Sequence, residues 1–252
     1  MAVAAGALPD IRVNLIPKGL QRERAAVDAG LRACGSGVTV IWGGAPPRPM
    51  PLGAIIVAEN GYLDGPGGPY VALAMGGHNG AGSWPAGSPA RLARLGVAMK
   101  PWRQSGEHVL LCESGQNAEM RPPGDWLRNT VTVLRRHTAR PIRLRTHPGD
   151  WKRLPEHPDV GLARELAGAW ACVIWASAAG IRSLIWGVPA IYTAPYWICA
   201  AAAGNRLEEI ENPPMPDRAP VFERMAAAQW TLDEIASGEA FRALLQSEAM
   251  AA

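Results

Sequence analysis

The chain has 252 residues, of which 48% are hydrophobic and 19% are charged. That length can bury a sizeable core, and the composition excludes a mainly disordered or fibrous protein. The formal net charge is only +3, but the charges are unevenly distributed. Between Arg128 and Arg153 there are eight basic residues and one acid, which predicts a local anion-binding site and not a uniformly basic protein.

The sequence predicts neither a membrane segment nor a secretion signal. It has no run of about 20 apolar residues, and the apolar start from Met1 to Leu8 lacks a basic leader followed by a long apolar stretch. The four cysteines form no CxxC pair, and the five histidines never fall at metal-ligand spacing. We therefore expect a cytoplasmic protein with reduced thiols, no metal and no cofactor.

The first predicted lobe covers residues 1–105. Apolar, β-branched runs predict strands at 11–16, 38–42 and 54–58, with a helix at 20–33. This order is the start of a parallel α/β lobe. A long loop rich in Gly, Asn, Ser and Pro is predicted at 65–89; such loops are either functional or surface insertions, and His78 and Trp84 favour function here.

The second predicted lobe covers residues 106–252 and alternates strands with helices. This alternation predicts a parallel sheet and, with the first lobe, an α/β fold of two Rossmann-like lobes. Three C-terminal helices are expected to cross back over the lobes. The predicted strands are 109–112, 141–145, 172–175 and 188–192, and the predicted helices are 126–137, 160–169, 178–186, 222–230, 232–236 and 239–245.

Several common catalytic motifs are absent. There is no Walker A loop and no GxSxG elbow, which argues against a P-loop NTPase and the usual α/β hydrolase. Residues 77–82 are glycine-rich but lack the spacing and the following helix of a dinucleotide-binding loop. No DxD pair occurs, so the metal-dependent GT-A mode of binding a donor diphosphate is not expected.

Glu59 follows the third predicted strand, in the sequence Glu59-Asn60-Gly61. Open α/β sheets bind ligands just past the carboxyl ends of their strands. A carboxylate at such a position can take a proton from an attacking hydroxyl or amine. Taken alone, an ordinary turn with a solvated glutamate explains the residue better.

A second polar group ends the strand predicted at 141–145. Side-chain alternation places Arg143 and Arg145 on one face of it. Arginine binds phosphate through a planar fork of donors, and His147, aimed by Pro148, can donate to a leaving phosphate oxygen. The alternative is a basic surface strand beside a structural histidine. The position of these residues at a strand end and the density of basic residues around them both favour a role in binding.

Ser177 ends another predicted strand and is the expected N-cap of the next helix. The start of that helix, from Ala178 to Gly180, offers backbone N–H groups and a favourable dipole to an anion. The common alternative is a helix cap with no ligand.

Glu59-Asn60-Gly61, His147-Pro148 and Ser177 with Gly180 together resemble the motifs of bacterial GT-B transferases that use CMP-activated acidic sugars. These are the sialyltransferases and the Kdo transferases of capsule synthesis. The resemblance implies a metal-independent transferase that works in a cleft between two lobes. It further implies that Glu59 is near the base and that His147 and Ser177 meet the donor phosphate. Asn60 departs from the family's second acid, and one serine stands where many members have two.

The loop at 76–85 and the segment 229–235 resemble uncharacterised phage and prophage proteins. That likeness implies transfer of a sugar, or of an amino acid or polyamine, to 5-hydroxymethylpyrimidines of phage DNA in the infected host, with phosphate or pyrophosphate leaving. Aromatic and basic side chains would then hold a flipped base and the DNA backbone. The predicted acceptor-binding residues are Asn60, Tyr62, His78, Asn79 and Trp84, and the predicted DNA-binding residues are Arg103, Arg135, Arg136 and Lys152.

Two other functions fit the same features. One is a glycosyltransferase that uses a nucleotide-activated sugar on a surface glycan, and the other is a non-catalytic GT-B-like binding protein. Salt-sensitive DNA binding separates the DNA-modifying enzyme from the glycan enzyme. Loss of turnover with retained binding, on changing Glu59, argues against the binding protein.

Overall fold

The computed structural model describes residues 12–34, 37–43, 54–115, 120–147 and 158–251. The strands are β1 (Arg12–Leu15), β2 (Val38–Trp42), β3 (Ala54–Asn60), β4 (Tyr70–Met75), β5 (His108–Cys112), β6 (Ile142–Arg145), β7 (Ala169–Ile174), β8 (Ala190–Tyr192) and β9 (Gln229–Thr231). The α-helices are α1 (Gln21–Cys34), α2 (Pro89–Leu95), α3 (Trp126–His137), α4 (Pro158–Ala167), α5 (Ala178–Ile185), α6 (Ala219–Ala228), α7 (Leu232–Ala236) and α8 (Glu239–Ala251).

The chain divides into two compact units, and the second is inserted into the first. Met1–Gly96 and Phe222–Ala252 form the first unit, and Val97–Val221 form the second. The prediction of 1–105 and 106–252 assigned the C-terminal helices to the second lobe. Their apolar side chains instead belong to the core of the first unit, as Ile235 and Phe241 illustrate.

The sheet of the first unit has the order β1-β2-β3-β4-β9. The pairs β1–β2 and β2–β3 are parallel, as the sequence predicts, but β4 and β9 are antiparallel additions. Two expectations were therefore wrong: the loop predicted at 65–89 contains β4, and the helix predicted at 222–230 ends before β9. Tertiary pairing decides both, because Val71 pairs with Trp230 and the buried Gln229 amide bonds the backbone of Leu63.

Arg91 attaches the C-terminal segment to the first unit. Its guanidinium pairs with Glu234 at 3.0 Å, donates to the Gln229 carbonyl at 2.7 Å, and lies 4.2 Å from the centre of the Trp230 ring. Burial favours a raised pKa for Glu234, but hydrogen bonds from Arg91 and Thr231 outweigh it and lower that pKa. Glu234 is therefore held as a carboxylate, which also completes the cap of α7 through Thr231.

The second unit has a four-stranded sheet of order β6-β5-β7-β8. All its pairs are parallel, which confirms the parallel sheet predicted for this part of the chain. Its core contains Val109, Leu111, Leu134 and Val173, each fully buried. Because the strands run in one direction, their carboxyl ends lie at one edge of the sheet, and the residues that follow β5, β6 and β7 converge there.

None of the helices in the described part of the chain combines the length and hydrophobicity that a bilayer crossing requires.

Candidate functional site

A pocket of about 190 Å³ lies within the second unit, at the carboxyl edge of its sheet. A single water needs only on the order of 15 Å³ of such space, so the pocket has room for more than one small ion. Three strand ends and two helices contribute its walls. The lining residues are Cys112, Glu113, Arg145, Thr146, His147, Leu162, Ser177, Ala178, Ala179 and Arg182.

Four of the residues predicted to bind the donor, Arg145, His147, Ser177 and Ala178, line this pocket together. Arg145 is the last residue of β6 and His147 follows that strand. Ser177 is the N-cap of α5, and Ala178 is its first residue. The Ser177 hydroxyl accepts from the Ala179 N–H at 3.2 Å, as expected of an N-cap. Arg145 is half-buried and bonds Glu165 at 2.6 Å, which restrains its guanidinium at the pocket wall.

His147 is exposed, and its position depends on two neighbours. A Cβ atom at Gly115 would lie 3.0 Å from the imidazole ring, so the ring packs directly over that glycine. The backbone N–H of His147 points to the Glu113 carboxylate at 3.4 Å. These contacts leave the histidine at the mouth of the pocket without burying its side chain.

Arg143 does not line the pocket, although it alternates with Arg145 along β6. Its side chain is exposed, and its charge acts toward the other end of the sheet. There, the pKa of the buried His108 is lowered mainly by burial and, to a smaller extent, by the charge of the Arg143 guanidinium. Of the two arginines predicted to bind the donor, Arg145 lines the pocket and Arg143 does not.

Gly180 has a packing role in place of the predicted phosphate contact. A Cβ atom there would lie 2.5 Å from Ile174 and 2.8 Å from the Trp197 ring, so glycine is needed for α5 to approach the core. Its N–H donates to the Ser177 carbonyl at 3.1 Å. The Ala179 N–H donates to the Ser177 hydroxyl, so both of these backbone donors are used within the first turn of α5.

Glu113, Arg182 and Cys112 line the pocket although no sequence motif marks them. A placement rule could have found Glu113, because it immediately follows the buried strand β5. Glu59, predicted to follow the third strand, instead lies within β3, which extends to Asn60. Cys112 contributes a neutral wall: its sulfur lies 3.8 Å from that of Cys172. This hydrogen bond, and then burial, raise the pKa of the Cys172 thiol well above its usual range.

Two residues predicted to bind the acceptor, Tyr62 and Asn79, contact the Glu59 carboxylate. The Tyr62 hydroxyl donates to it, and the Asn79 N–H donates to the same oxygen at 2.9 Å. Asn79 has a φ of +46°, a conformation that asparagine tolerates better than most residues. His78 is next to it and half-buried, so the glycine-rich loop is attached to β3 through Glu59.

Asn60 and Trp84 have other surroundings. Asn60 is exposed and, by strand alternation, points to the opposite face of β3. The Trp84 ring lies 5.1 Å below the Arg224 guanidinium. Their predicted roles in acceptor binding rest on the sequence alone.

The four predicted DNA-binding residues have different environments. Arg103 donates to the carbonyls of Ala167 and Ala169, so its guanidinium has a structural role in the second unit. Arg135 and Arg136 are exposed in the last turn of α3. Lys152 lies outside the described residues.

Among the residues that the model describes, no group of three or more His, Cys, Asp or Glu side chains could hold a metal ion.

No protein-family model matches the sequence, and no curated protein matches it. One solved structure with a similar fold is Thermosulfurimonas dismutans KpsC, a beta Kdo 2,4 transferase. The TM-score is 0.51 at 14% sequence identity, and the match covers 87% of this chain and 90% of that one. At this identity the likeness is one of fold: the chain shares an α/β architecture with that structure.

Proposed function

We propose that the protein is a GT-B-like group transferase that displaces a phosphate or pyrophosphate leaving group bound in the pocket of the second unit. The observation that carries the proposal is the lining of that pocket by Arg145, His147 and the start of α5. A guanidinium, an imidazole and a helix N-terminus are three kinds of group that stabilise phosphate oxygens. The fold shared with a transferase supports the same conclusion.

In the proposed reaction an acceptor hydroxyl or amine attacks the donor carbon, and the bond from that carbon to a phosphate oxygen breaks. The electron pair of the broken bond stays on the phosphate oxygen. Arg145 and His147 stabilise the charge that develops there, because preorganised donors need no reorientation as it forms. Ser177 keeps the start of α5 in position through its cap, and no metal takes part in the step.

Glu59 is the proposed acceptor of the proton that the attacking group loses. The Tyr62 hydroxyl and the Asn79 N–H donate to its carboxylate and hold it in place. Its role is a separate part of the proposal, because it belongs to the first unit.

Arg145→Ala tests the phosphate site. We expect it to weaken binding of CMP and of inorganic pyrophosphate by about tenfold or more, since a hydrogen bond to a charged group contributes roughly 1.5–3 kcal/mol. Arg143→Ala is the matched control: it removes the same charge from the same strand, but its side chain is exposed and does not line the pocket. Titration calorimetry on each variant measures the dissociation constants. Equal losses for the two variants, or none, would contradict the proposed site.

For the acceptor we retain the sequence-based prediction of DNA with 5-hydroxymethylpyrimidine bases. Of the four residues predicted to bind DNA, Arg135 and Arg136 are exposed and could contact its backbone. If DNA is the acceptor, affinity should fall steeply with salt, because each phosphate contact releases a counterion. Fluorescence anisotropy with hydroxymethyluracil DNA, for the wild type and for Arg135→Ala with Arg136→Ala, measures the salt slope. Binding that ignores salt or the two substitutions would favour a surface glycan or a small acceptor.

A further inference from the structure

Arg182 lines the pocket from α5, and its backbone lies in the last turn of that helix. A cation in a last turn commonly interacts with the terminal carbonyls. Ala178 and Ala179, four and three residues earlier in the chain, line the same pocket, so the three residues share one face of α5. Helical side chains tilt toward the N-terminus, so the long side chain of Arg182 extends back to the carboxyl edge of the sheet.

Two backbone donors at the start of α5 are used within the helix itself. The Ala179 N–H donates to the Ser177 hydroxyl at 3.2 Å, and the Gly180 N–H donates to the Ser177 carbonyl at 3.1 Å. A guanidinium carries several N–H donors in a planar fork and stays protonated at all ordinary pH values. Arg182 therefore gives the α5 wall of the pocket charged donors that do not compete with the helix cap.

The proposed reaction adds negative charge to a pocket whose cations already have acidic neighbours. When the bond from the donor carbon breaks, its electron pair leaves further negative charge on the phosphate. Arg145 bonds the Glu165 carboxylate at 2.6 Å, and Glu113 lines the pocket as well. Without Arg182, these two carboxylates would outnumber the guanidinium of Arg145. A second guanidinium is therefore what the pocket requires to accept the charge that the reaction develops.

We propose that Arg182 is a further catalytic residue, whose guanidinium contacts the leaving phosphate and stabilises the charge that develops on it. This inference rests on the proposed function and adds a second arginine to it, held by a helix where Arg145 is held by a strand. Ile181 and Leu184, on the same helix, are buried, which fixes α5 against the core. A charged donor on a rigid element needs little reorientation as the charge forms.

Arg182→Gln and Arg182→Lys test the inference together. Glutamine removes the charge and the fork of donors, whereas lysine keeps a charged donor without the fork. We expect Arg182→Gln to weaken binding of CMP and of inorganic pyrophosphate by about tenfold or more, and to lower kcat by a similar factor. Arg182→Lys should lose less in each measurement. Titration calorimetry gives the dissociation constants, and release of CMP from CMP-sialic acid, with lactose or hydroxymethyluracil DNA as the acceptor, gives kcat.

Arg164→Gln is the matched control, because Arg164 lies in the last turn of α4 as Arg182 lies in the last turn of α5. Its side chain is exposed and does not line the pocket. The control changes the net charge by the same amount as Arg182→Gln, so we expect it to leave both constants and kcat unchanged. The Arg182 variants should fold, because the carbonyl of that residue still accepts from the Trp186 N–H, and thermal unfolding checks this.

Four results would overturn the inference and leave the phosphate site in place, provided that Arg145→Ala still weakens both probes. Unchanged binding in Arg182→Gln would show that the side chain does not contact the anion, and weaker binding with an unchanged kcat would make it a ligand without a catalytic role. Equal losses in Arg182→Gln and Arg182→Lys would give the residue a structural role. An equal loss in Arg164→Gln would reduce the effect to net charge. If the wild type binds neither probe, the proposed function fails, and the inference fails with it.

Discussion

Glu59→Gln should lower turnover by about a hundredfold or more and leave the dissociation constant of the donor within about twofold. A positioned general base typically contributes a factor of 10²–10⁴ to the rate, and an amide cannot accept the proton. The Gln side chain keeps an oxygen that can accept from the Asn79 N–H, so the attached loop should stay in place. The assay is release of CMP from CMP-sialic acid with lactose or hydroxymethyluracil DNA as the acceptor.

The control for this variant is Glu239→Gln, which removes an exposed carboxylate at the first turn of α8 in the same unit. It should retain full turnover. A second comparison is Tyr62→Phe, which removes one donor to Glu59 and should reduce turnover less than Glu59→Gln does. If Glu59→Gln keeps most of the wild-type turnover, Glu59 only attaches the glycine-rich loop to β3. If the wild type binds CMP but releases no product from any donor, the protein is the non-catalytic binding protein.

The sequence predicts the second unit well because its information is local. β5, β7 and β8 are short runs of mainly apolar residues, and the helices have their own apolar period. The rule that ligands meet the carboxyl ends of parallel strands then brings Arg145, His147 and Ser177 to one edge. To predict that these three residues share a pocket, one needs the order of the strands and no other knowledge of long-range contacts.

The first unit is predicted less well because its form depends on contacts between distant segments. Residues 229–231 read as the end of a helix, yet they pair with β4 across more than half of the chain. Likewise, the sequence places Gly180 near the start of a helix, where phosphate binding is expected. Only the packing of the Trp197 ring against it shows that this position needs a glycine for close approach. Glu113 was missed because no motif marks it, although its place directly after β5 puts it at the edge of the sheet where ligands bind.

His147→Ala should lower turnover by about a hundredfold or more. Removing one preorganised donor from a developing oxyanion typically costs on the order of 3 kcal/mol, which corresponds to that factor. The fold should survive, because the side chain is exposed and the backbone N–H that faces Glu113 is unchanged. Release of CMP from CMP-sialic acid gives the rate, and thermal unfolding confirms that the variant is folded.

His137→Ala is the matched control for this prediction, since it removes an exposed histidine in the last turn of α3, away from the pocket lining. It should leave turnover unchanged.

The dissociation constant of CMP separates two roles for His147. A donor that acts mainly on the leaving oxygen lowers kcat with a small change in that constant, whereas a ground-state ligand weakens binding and kcat/KM together. Full turnover in His147→Ala would show that the charge on the leaving phosphate is stabilised by Arg145 and the start of α5 without the imidazole, and the proposed role of His147 would be wrong.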